Sequence, residues 1–512
     1  MTQGLRKIAW FLGIAVTTGT GCAADLASDI ARLAADPALA KVRVGYAVMD
    51  CDGAPGSMVA ARNADQLFVP ASNLKIITTG IALDVLGPDF KFETMLLLDA
   101  TGGRARLTLV GSGDPALFHP EIAKLGLPRS WTTVQDAVNQ WSDSLRRQNV
   151  RQVDELLVDA RIFDGERLPA DSQKWISNEP QGTYATGLWG VNMGGNAAVI
   201  DVYATAGRSP WVARIDPPFL SDIASNRANC AAGKAKIPFT LGVASTANRL
   251  SISMSGTAQP GSSSYATHIV NTPACVGAML ASMLTQSGVH VAGWRIAETR
   301  DAKASGTIVE PVLVTPISTV LIGANTESIN ICAEALAKRV AYAKTGAPGS
   351  WSDARSLIPA LVAARLGSEA TVPSGFAAWD GSGLDDRSRV SPTLLVAWMR
   401  SFMRSGAIAK PYFESFAVPA KSGTLLKRFG GASFDELRVF GKSGYIDGAS
   451  CLSGVVVNTE SRRAFAYSVL CNDTAKGAEL SAARELQEKI VIAVANHLKK
   501  APPLQASASA DP

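Results

Sequence analysis

Histidine is scarce in this sequence of 512 residues, which contains only four copies. His119, His268, His290 and His497 lie far apart in the chain, so the HExxH pattern and His-rich metal sites are excluded. The sequence also lacks a GxSxG segment, and a Ser-His-Asp hydrolase is therefore poorly supported. A serine nucleophile in this chain would need a base other than histidine.

Charge is sparse as well, and it is nearly balanced. Charged residues make up 18% of the chain, and the formal net charge is +5. Without the first 24 residues, which hold Arg6 and Lys7 and no acid, the net charge is +3. This small excess argues against nucleic acid as a partner. The hydrophobic content of 47% excludes a mostly disordered chain, and the length predicts roughly two or three packed units.

Long hydrophobic runs are missing, because no stretch approaches the roughly 18 apolar residues of a membrane span. The first 24 residues nevertheless have the pattern of an export signal. Arg6-Lys7 is followed by the apolar run Ile8–Val16 and by small residues up to Cys22-Ala23-Ala24. We expect cleavage near Ala24 and release into the periplasm. A lipoprotein anchored at Cys22 is the less favoured alternative, because Gly19 stands where an aliphatic residue is expected.

The cysteine content does not decide whether the protein contains disulfides. Without Cys22, six cysteines remain: Cys51, Cys230, Cys275, Cys332, Cys451 and Cys471. An even number in an oxidising compartment permits disulfides but does not require them. Cys451 and Cys471 flank two apolar runs around a polar turn, so they could form a bridge across a hairpin or remain buried thiols.

The order of predicted elements indicates a mixed α/β (α+β) fold. Alternating apolar residues predict a hairpin of Phe92–Asp99 and Arg106–Val110, and short strands continue from about Tyr184 to Ala266. Ser318–Ile322 is predicted as a short turn, and the long helix Glu479–Leu498 ends the ordered chain. We infer one domain that is interrupted by a β-rich insertion. The Pro/Ala/Ser-rich tail 501–512 is predicted to be disordered.

The segment Ser72-Asn73-Leu74-Lys75 offers a base for a serine nucleophile. Positions i and i+3 share one face of a helix, so the Lys75 amine can reach the Ser72 hydroxyl. The serine would also stand at a helix N-terminus, which favours developing negative charge. An SxxK match alone is weak evidence, because one is expected by chance in a chain of this size.

Two further motifs strengthen this interpretation. Ser328-Ile329-Asn330 begins a predicted helix, and Lys442-Ser443-Gly444 precedes a predicted strand. Two other segments also fit the third motif, Lys344-Thr345-Gly346 and Lys421-Ser422-Gly423. The first ends a predicted helix and runs into a Gly/Pro loop. The second precedes a predicted helical stretch, Thr424–Phe429. Only Lys442 lies where an edge strand could pair with a substrate backbone.

SxxK, SxN and K[ST]G in this chain order form the active-site set of the penicillin-recognising serine acyltransferases. Two further segments and one spacing point to a particular branch of this superfamily. The segments are Gly111-Ser112-Gly113-Asp114-Pro115 and Asp380-Gly381-Ser382-Gly383-Leu384, and the spacing is the 256-residue separation of Ser72 from Ser328. Over essentially the whole mature chain, the sequence resembles the class C low-molecular-mass penicillin-binding proteins. These are D-alanyl-D-alanine carboxypeptidases that also act as endopeptidases. The chain departs from the family pattern at Ile329, where Asp is usual, and at Ser443 and Tyr445.

The resemblance implies a transpeptidase-like domain with a large insertion that forms two smaller domains. The expected boundaries are a signal peptide at 1–24, a catalytic domain at 25–92 and 316–500, inserted domain II at 93–117 and 205–315, and inserted domain III at 118–204. We expect the insertion to add binding surface for long wall peptides.

The resemblance also implies a role for each motif residue. Ser72 is the expected nucleophile and Lys75 its base, with a pKa lowered by burial and by a nearby cation such as Lys442. Ser328 would relay a proton to the leaving amine, and Asn330 would bind the substrate amide. Lys442 and Ser443 would bind the terminal carboxylate of the substrate. The strand around Gly444 would flank the bound substrate, and the N–H groups of Ser72 and Tyr445 would form the oxyanion hole.

The expected partners are peptidoglycan peptides and β-lactam antibiotics, and no metal or organic cofactor is implied. Two other functions share the same motifs or fold. A β-lactamase would carry the three motifs, although the long insertion favours a larger substrate. A non-catalytic wall-binding protein would keep the fold, although all three motifs are intact.

Overall fold

The computed structural model describes residues 20–54, 57–169, 183–216, 224–232, 240–246, 249–269 and 271–501. The predicted export signal before Thr20 and the predicted tail after Ala501 lie outside these residues. Cleavage near Ala24 and the state of Cys22 therefore remain predictions.

The described secondary structure mixes strands and helices throughout the chain. The strands are β1 (Arg43–Asp50), β2 (Met58–Arg62), β3 (Lys91–Asp99), β4 (Arg106–Val110), β5 (Gln152–Val153), β6 (Glu155–Asp159), β7 (Ala197–Ala204), β8 (Trp211–Asp216), β9 (Ala224–Ala232), β10 (Thr240–Thr246), β11 (Arg249–Ala258), β12 (Gly261–His268), β13 (His290–Val291), β14 (Trp294–Ile296), β15 (Thr307–Pro316), β16 (Leu437–Ile446), β17 (Gly448–Asn458) and β18 (Arg463–Thr474). The helices are α1 (Thr20–Leu33), α2 (Leu74–Leu86), α3 (Pro120–Lys124), α4 (Val134–Arg147), α5 (Thr272–Gln286), α6 (Ile317–Asn325), α7 (Asn330–Thr345), α8 (Trp351–Leu366), α9 (Pro392–Met403), α10 (Gly406–Glu414) and α11 (Ala478–Lys500).

The chain divides into two units, each assembled from separate stretches of sequence. The first unit contains the chain up to Pro88, Leu321–Ile329 and the chain from Ala354 onward. The second contains Asp89–Val320 and Asn330–Asp353. The subdivision of the insertion into two smaller domains remains a prediction.

The first unit contains a five-stranded antiparallel sheet with the order β16-β17-β18-β1-β2. The central strands β17 and β18 are buried at nearly every position. Strands that are covered on both faces are typically continuous apolar runs, as these are. Helices α1 and α11 pack on one face through side chains such as Ile30 and Ile490, and α9 packs on β18 and β1.

Helix α2 carries the SxxK motif and packs closely against α9. A Cβ atom at Gly80 would lie only 2.8 Å from the rings of Trp398 and Phe402. The Trp398 indole and the Tyr412 hydroxyl both donate hydrogen bonds to the Ile76 carbonyl. These buried contacts fix α2 in the core of the first unit.

The second unit contains a five-stranded mixed sheet with the order β14-β6-β4-β3-β15. The predicted hairpin at 92–99 and 106–110 is confirmed, because β3 and β4 pair antiparallel. Helices α4 and α5 cover this sheet through an apolar cluster that includes Trp141, Leu145 and Leu280. The predicted β-structure between Tyr184 and Ala266 is confirmed in the described residues by the sheets β12-β7-β8 and β10-β11-β9.

The structure corrects two local predictions. Ser318–Ile322, predicted as a short turn, belongs to helix α6, which ends only at Asn325. The stretch Thr424–Phe429, predicted as helical, contains only a 3₁₀ turn at Gly423–Leu425. Buried residues on both sides of the predicted turn, Ile317 and Ala324, extend the helix beyond the residues that the pattern indicated.

Cys51, Cys451 and Cys471 are buried free thiols. In the β17–β18 ladder, Cys451 pairs with Leu470 and Cys471 pairs with Ser450. Because neighbouring residues of a strand face opposite sides of a sheet, the two thiols point away from each other. A bridge between them across the hairpin is therefore excluded by the register.

Within the described residues, no helix combines the length and the apolar character that are required to cross a bilayer.

Candidate active site

Ser72 lies in the 3₁₀ turn Ala71–Asn73, and Lys75 lies in the first turn of α2, which follows directly. The Lys75 side chain is completely buried, whereas Ser72 remains partly exposed. The Lys75 nitrogen Nζ lies 2.8 Å from Ser72 Oγ, which is the proximity that the i,i+3 spacing predicts. A buried amine therefore contacts a hydroxyl that other molecules can reach.

The Asp380–Leu384 loop holds the other side of the Lys75 amine. Lys75 Nζ donates a hydrogen bond to the Ser382 carbonyl at 3.1 Å. The Asp380 carboxylate shapes the loop by accepting the Gly383 N–H at 2.7 Å. Gly383 has φ +78°, and a Cβ atom there would lie 1.9 Å from the Ala71 carbonyl oxygen. Only glycine allows the loop to approach the Ser72 turn so closely.

A second serine and a second lysine meet in the same unit. Lys442 on β16 is fully buried, and its Nζ lies 2.9 Å from Ser328 Oγ and 2.8 Å from the Ser443 carbonyl oxygen. Burial, and then the neighbouring Lys75 cation, lower the pKa of Lys442 well below its usual value, while Glu327 acts in the opposite direction. A positive charge on Lys75 therefore disfavours a positive charge on Lys442.

Ser328 adopts a backbone conformation that is uncommon for serine. Its φ of +62° lies in the left-handed region. The preceding turn is closed by hydrogen bonds from Thr326 N–H to the Ile322 carbonyl and from Ile329 N–H to the Gly323 carbonyl. This turn presents the Ser328 hydroxyl to Lys442.

Strand β16 is the edge of its sheet, as predicted. The Gly441 N–H and carbonyl bond Ala417, on the side away from β17. Backbone groups of alternate residues point to the same side of a strand, so those of Ser443 and Tyr445 also point away from β17. A Cβ atom at Gly444 would lie 3.0 Å from Ser72 N, which places this edge beside the start of α2.

Asn73, the second residue of the SxxK motif, locks α2 to β16. Its amide nitrogen donates to the Lys442 carbonyl at 2.9 Å, and its oxygen accepts the Ser453 hydroxyl at 2.6 Å. The sequence patterns predicted no role for Asn73 or for the Ser382 carbonyl. The SxxK and DGSGL segments were visible, but neither pattern indicates which distant group its side chains and carbonyls bond.

The third motif has one buried lysine among its three sequence matches. Lys344 is exposed at the end of α7, and Lys421 is exposed before the Gly423–Leu425 turn. Lys442 is the one that contacts Ser328. Beside it, the Ser443 hydroxyl bonds Thr424 Oγ1 at 2.7 Å.

Two other predicted site residues, Tyr445 and Asn330, contact different parts of the molecule. The Tyr445 ring is 41% exposed, and it lies 5.4 Å from the Arg484 guanidinium of α11. Asn330 is the first residue of α7 and belongs to the second unit, where its side-chain amide donates to the Tyr184 carbonyl at 2.8 Å. The unit boundary thus falls between Ile329 and Asn330, inside the SxN motif.

Among the described residues, no group of three or more His, Cys, Asp or Glu side chains is arranged to hold a metal ion. The chemically distinctive feature of the first unit is instead a pair of serine–lysine contacts, Ser72 with Lys75 and Ser328 with Lys442. Such contacts are typical of serine enzymes that form an acyl-enzyme without histidine.

Comparisons with known proteins agree with this class. The model of the D-Ala-D-Ala carboxypeptidase 3 (S13) family matches residues 26–496. A D-alanyl-D-alanine carboxypeptidase of an Actinomadura strain is 27% identical over 92% of this chain and 85% of that protein. A carboxypeptidase of Mycobacterium tuberculosis is 30% identical, but over only 30% of this chain and 31% of that protein.

Among solved structures, penicillin-binding protein 4 of Haemophilus influenzae superimposes with a TM-score of 0.71 at 19% identity. The match covers 94% of this chain and 99% of that one. This likeness confirms the predicted fold class.

The chain belongs to the D-Ala-D-Ala carboxypeptidase 3 (S13) family, so the predicted resemblance is confirmed. It is a serine-type D-Ala-D-Ala carboxypeptidase.

Proposed function

We propose that this enzyme removes the terminal D-alanine from peptidoglycan stem peptides and also cleaves D-alanyl crosslinks, in both cases through an acyl-enzyme on Ser72. The observation that carries the proposal is the 2.8 Å contact between Ser72 Oγ and the buried Lys75 Nζ. The second contact, between Ser328 and Lys442, supplies a further proton relay.

In the acylation step, Ser72 Oγ attacks the carbonyl carbon of the penultimate D-alanine. The hydroxyl proton passes to neutral Lys75 Nζ, which lies within hydrogen-bond distance. The Ser382 carbonyl orients this amine, because it accepts a second hydrogen bond from it. Carbonyl acceptors around a buried amine fix its direction and thereby reduce the cost of orientation during the reaction.

Two backbone N–H groups are suited to stabilise the tetrahedral oxyanion. Ser72 N lies beside Gly444, and the Tyr445 N–H points away from β17 toward the open edge. Preorganised donors of this kind stabilise charge that develops only in the transition state. Asn73 holds the two segments in register through its bonds to Lys442 and Ser453.

Collapse of the intermediate breaks the peptide bond, and the leaving amine takes a proton. Ser328 supplies it and is recharged by its lysine partner, whose lowered pKa makes the transfer easy in either direction. By family resemblance, Asn330 bonds the substrate amide, and Lys442 with Ser443 binds the terminal carboxylate. Water then attacks the ester carbonyl and gives its proton to Ser328 and thereby to Lys442, while Lys75 returns its proton to Ser72 Oγ as the ester bond breaks.

Penicillin would acylate the same hydroxyl, because its strained amide presents a carbonyl to Ser72 and its carboxylate to Lys442. Release would be slow compared with peptide hydrolysis. Because residues 1–24 have the pattern of an export signal, we expect the mature enzyme in the periplasm, together with its peptidoglycan substrates. No step requires a metal or an organic cofactor.

The test is covalent labelling with a fluorescent penicillin, followed by peptide mapping of the modified residue. We expect the label on Ser72 and none in Ser72→Ala. Ser433→Ala is the matched control, because Ser433 is exposed and its hydroxyl donates a hydrogen bond to the nearby Asp435, so labelling should persist. A label on another serine would contradict the proposal.

A second assay separates the two activities and the alternatives. Release of D-alanine from a soluble pentapeptide, and cleavage of a purified crosslinked dimer, should both disappear in Ser72→Ala. Rapid turnover of penicillin with no peptide cleavage would instead indicate a β-lactamase. Wall binding with neither labelling nor cleavage would indicate a non-catalytic protein.

A further inference from the structure

The outer face of the β12-β7-β8 sheet in the second unit exposes an aromatic pair. Tyr203 is 42% exposed and Trp211 is 52% exposed, and both are among the few large hydrophobic side chains exposed in the described structure. They face each other across the β7–β8 ladder, with ring centroids 5.6 Å apart. The opposite face of β7 is buried through Ile200 and Val202, so the register fixes the pair outward.

Apart from Val199, which is 38% exposed, the described neighbours of the pair on this face are mostly polar. Asp201, two residues before Tyr203, forms an ion pair with Arg214 at 3.3 Å on the neighbouring strand. The Ser264 hydroxyl donates to Asp201 at 2.6 Å from the other neighbouring strand. Ser262, directly opposite Tyr203, is exposed. Hydroxyl, carboxylate and guanidinium groups therefore border the two rings without an excess of either charge.

This combination fits a sugar polymer better than a protein or a nucleic acid. A pyranose ring has an apolar C–H face that packs on an aromatic ring, and a rim of hydroxyls that hydrogen-bonds polar side chains. A protein-docking face would be expected to have a broader apolar centre. A polyanion would require basic residues that are not already paired with acids, and here Arg214 faces Asp201.

We propose that the surface formed by Asp201, Tyr203, Trp211, Arg214, Ser262 and Ser264, here called the aromatic face, binds the glycan strands of the cell wall. The choice of this polysaccharide rests on the proposed function, because the peptides cleaved at Ser72 are attached to such strands. The second unit then holds the polymer, while the first unit carries the hydrolytic chemistry. Binding to the glycan then increases the cleavage of insoluble wall and leaves the cleavage of free peptides unchanged.

The direct test is co-sedimentation of the full mature chain with peptidoglycan from which all peptides have been removed enzymatically. We expect wild-type protein to sediment and the variant Tyr203→Thr with Trp211→Thr to bind at least about tenfold more weakly, because two stacking contacts are lost. Threonine retains the strand propensity of both positions. Tyr203→Phe keeps the ring and should bind like wild type, and Ile308→Thr removes an exposed hydrophobic residue elsewhere in the second unit and should have no effect.

Activity assays separate this inference from the proposed function. In the double variant, penicillin acylation and D-alanine release from a soluble pentapeptide should match wild type, while cleavage of insoluble crosslinked wall falls several-fold. Equal binding of wild type and double variant to peptide-free glycan overturns the proposal, and so does wild-type binding that requires the peptides. A change from dimer to monomer in light scattering would make the face a self-association surface instead. Loss of penicillin acylation in the wild type would contradict the proposed function alone, because sedimentation requires no chemistry.

Discussion

Each unit of this enzyme buries a lysine completely, but in opposite electrostatic surroundings. Lys338 in the second unit places its Nζ 2.5 Å from Asp164 Oδ1 and 2.6 Å from the Glu166 carbonyl, above the ring of Trp351. Lys442 in the first unit contacts a serine hydroxyl and a backbone carbonyl, and its neighbour is another lysine.

The pKa values show what this difference does. Burial lowers the pKa of both lysines, but three carboxylates around Lys338, those of Asp164, Glu166 and Glu334, act against the lowering. At Lys442 the second influence is a cation, which lowers the pKa further. Lys338 is thus a charged anchor for α7, and Lys442 is a group that can exchange its proton. Burial alone does not identify a catalytic lysine; the charge of its neighbours does.

The largest expected effect comes from removing Lys442, whose described contacts are a serine hydroxyl and a backbone carbonyl. Lys442→Met should slow acylation by penicillin by about 10²- to 10⁴-fold, the usual range for a lost proton-transfer group. The melting temperature should stay the same or rise, because an apolar side chain of similar length replaces a costly buried amine. Stopped-flow labelling and thermal denaturation measure the two quantities on the same sample.

The control for Lys442→Met is Lys421→Met, which alters a rival Lys-Ser-Gly motif. Because Lys421 is exposed and lies before a turn, its replacement should leave both rate and melting temperature unchanged. A slow Lys421 variant together with a fast Lys442 variant would reverse the assignment of the third motif.

Lys338→Met should give the opposite result, a loss of stability with little loss of chemistry. Asp164 would lose its partner, and because its side chain is 30% exposed we expect a cost of about 2 kcal/mol, below that of a fully buried pair. Urea unfolding should show this loss, while the acylation rate of the folded protein changes by less than about tenfold. Adding Asp164→Asn should restore part of the stability, as a double-mutant cycle would measure. A folded Lys338→Met protein as slow as Lys442→Met would refute the comparison.

Local patterns in the sequence predicted the two elements that carry most of the site. The i,i+3 spacing of Ser72 and Lys75, and the strand pattern around Lys442, depend only on neighbours in the chain, and both are found. The choice among three Lys-Ser/Thr-Gly matches also followed from local context. Each of these features repeats a short-range rule of helix or strand geometry.

The contacts that complete the site could not be predicted in the same way. The Asn73 amide bonds a carbonyl 369 residues away, and Lys75 bonds one 307 residues away. No periodicity encodes which distant loop arrives at a given side chain. The positions of the Cys451 and Cys471 thiols could not be predicted either, because a register offset of one residue decides which face of the sheet each thiol occupies.

The last prediction concerns Asp114 in the second unit, a buried acid that has no counter-ion among the residues that the structure describes. Its carboxylate accepts the Thr315 hydroxyl at 2.6 Å and the Ala116 N–H at 2.9 Å, and Thr315 in turn accepts the Trp131 indole N–H. Burial, which outweighs these hydrogen bonds, raises the pKa of Asp114 from 3.8 to about 7. Between these values the folded state binds more protons than the unfolded state, so this group makes stability fall as pH rises, until the loss levels off above pH 7.

Asp114→Asn mimics the protonated acid and should remove this dependence. Relative to wild type, the free energy of unfolding of the variant should gain up to about 1.4 kcal/mol per pH unit between pH 4 and pH 7. Urea titrations at each pH, followed by tryptophan fluorescence, give the difference. Asp301→Asn is the control, because Arg295 lowers the pKa of Asp301 below its usual 3.8, so the stability that this acid contributes is gained below about pH 4 and the variant should run parallel to wild type between pH 4 and pH 7. If the free energy of unfolding of wild type and of Asp114→Asn had the same pH dependence, burial without a counter-ion would not raise the pKa of this carboxyl group. The rule that neighbouring charges set the pKa of a buried lysine would then not extend to buried acids.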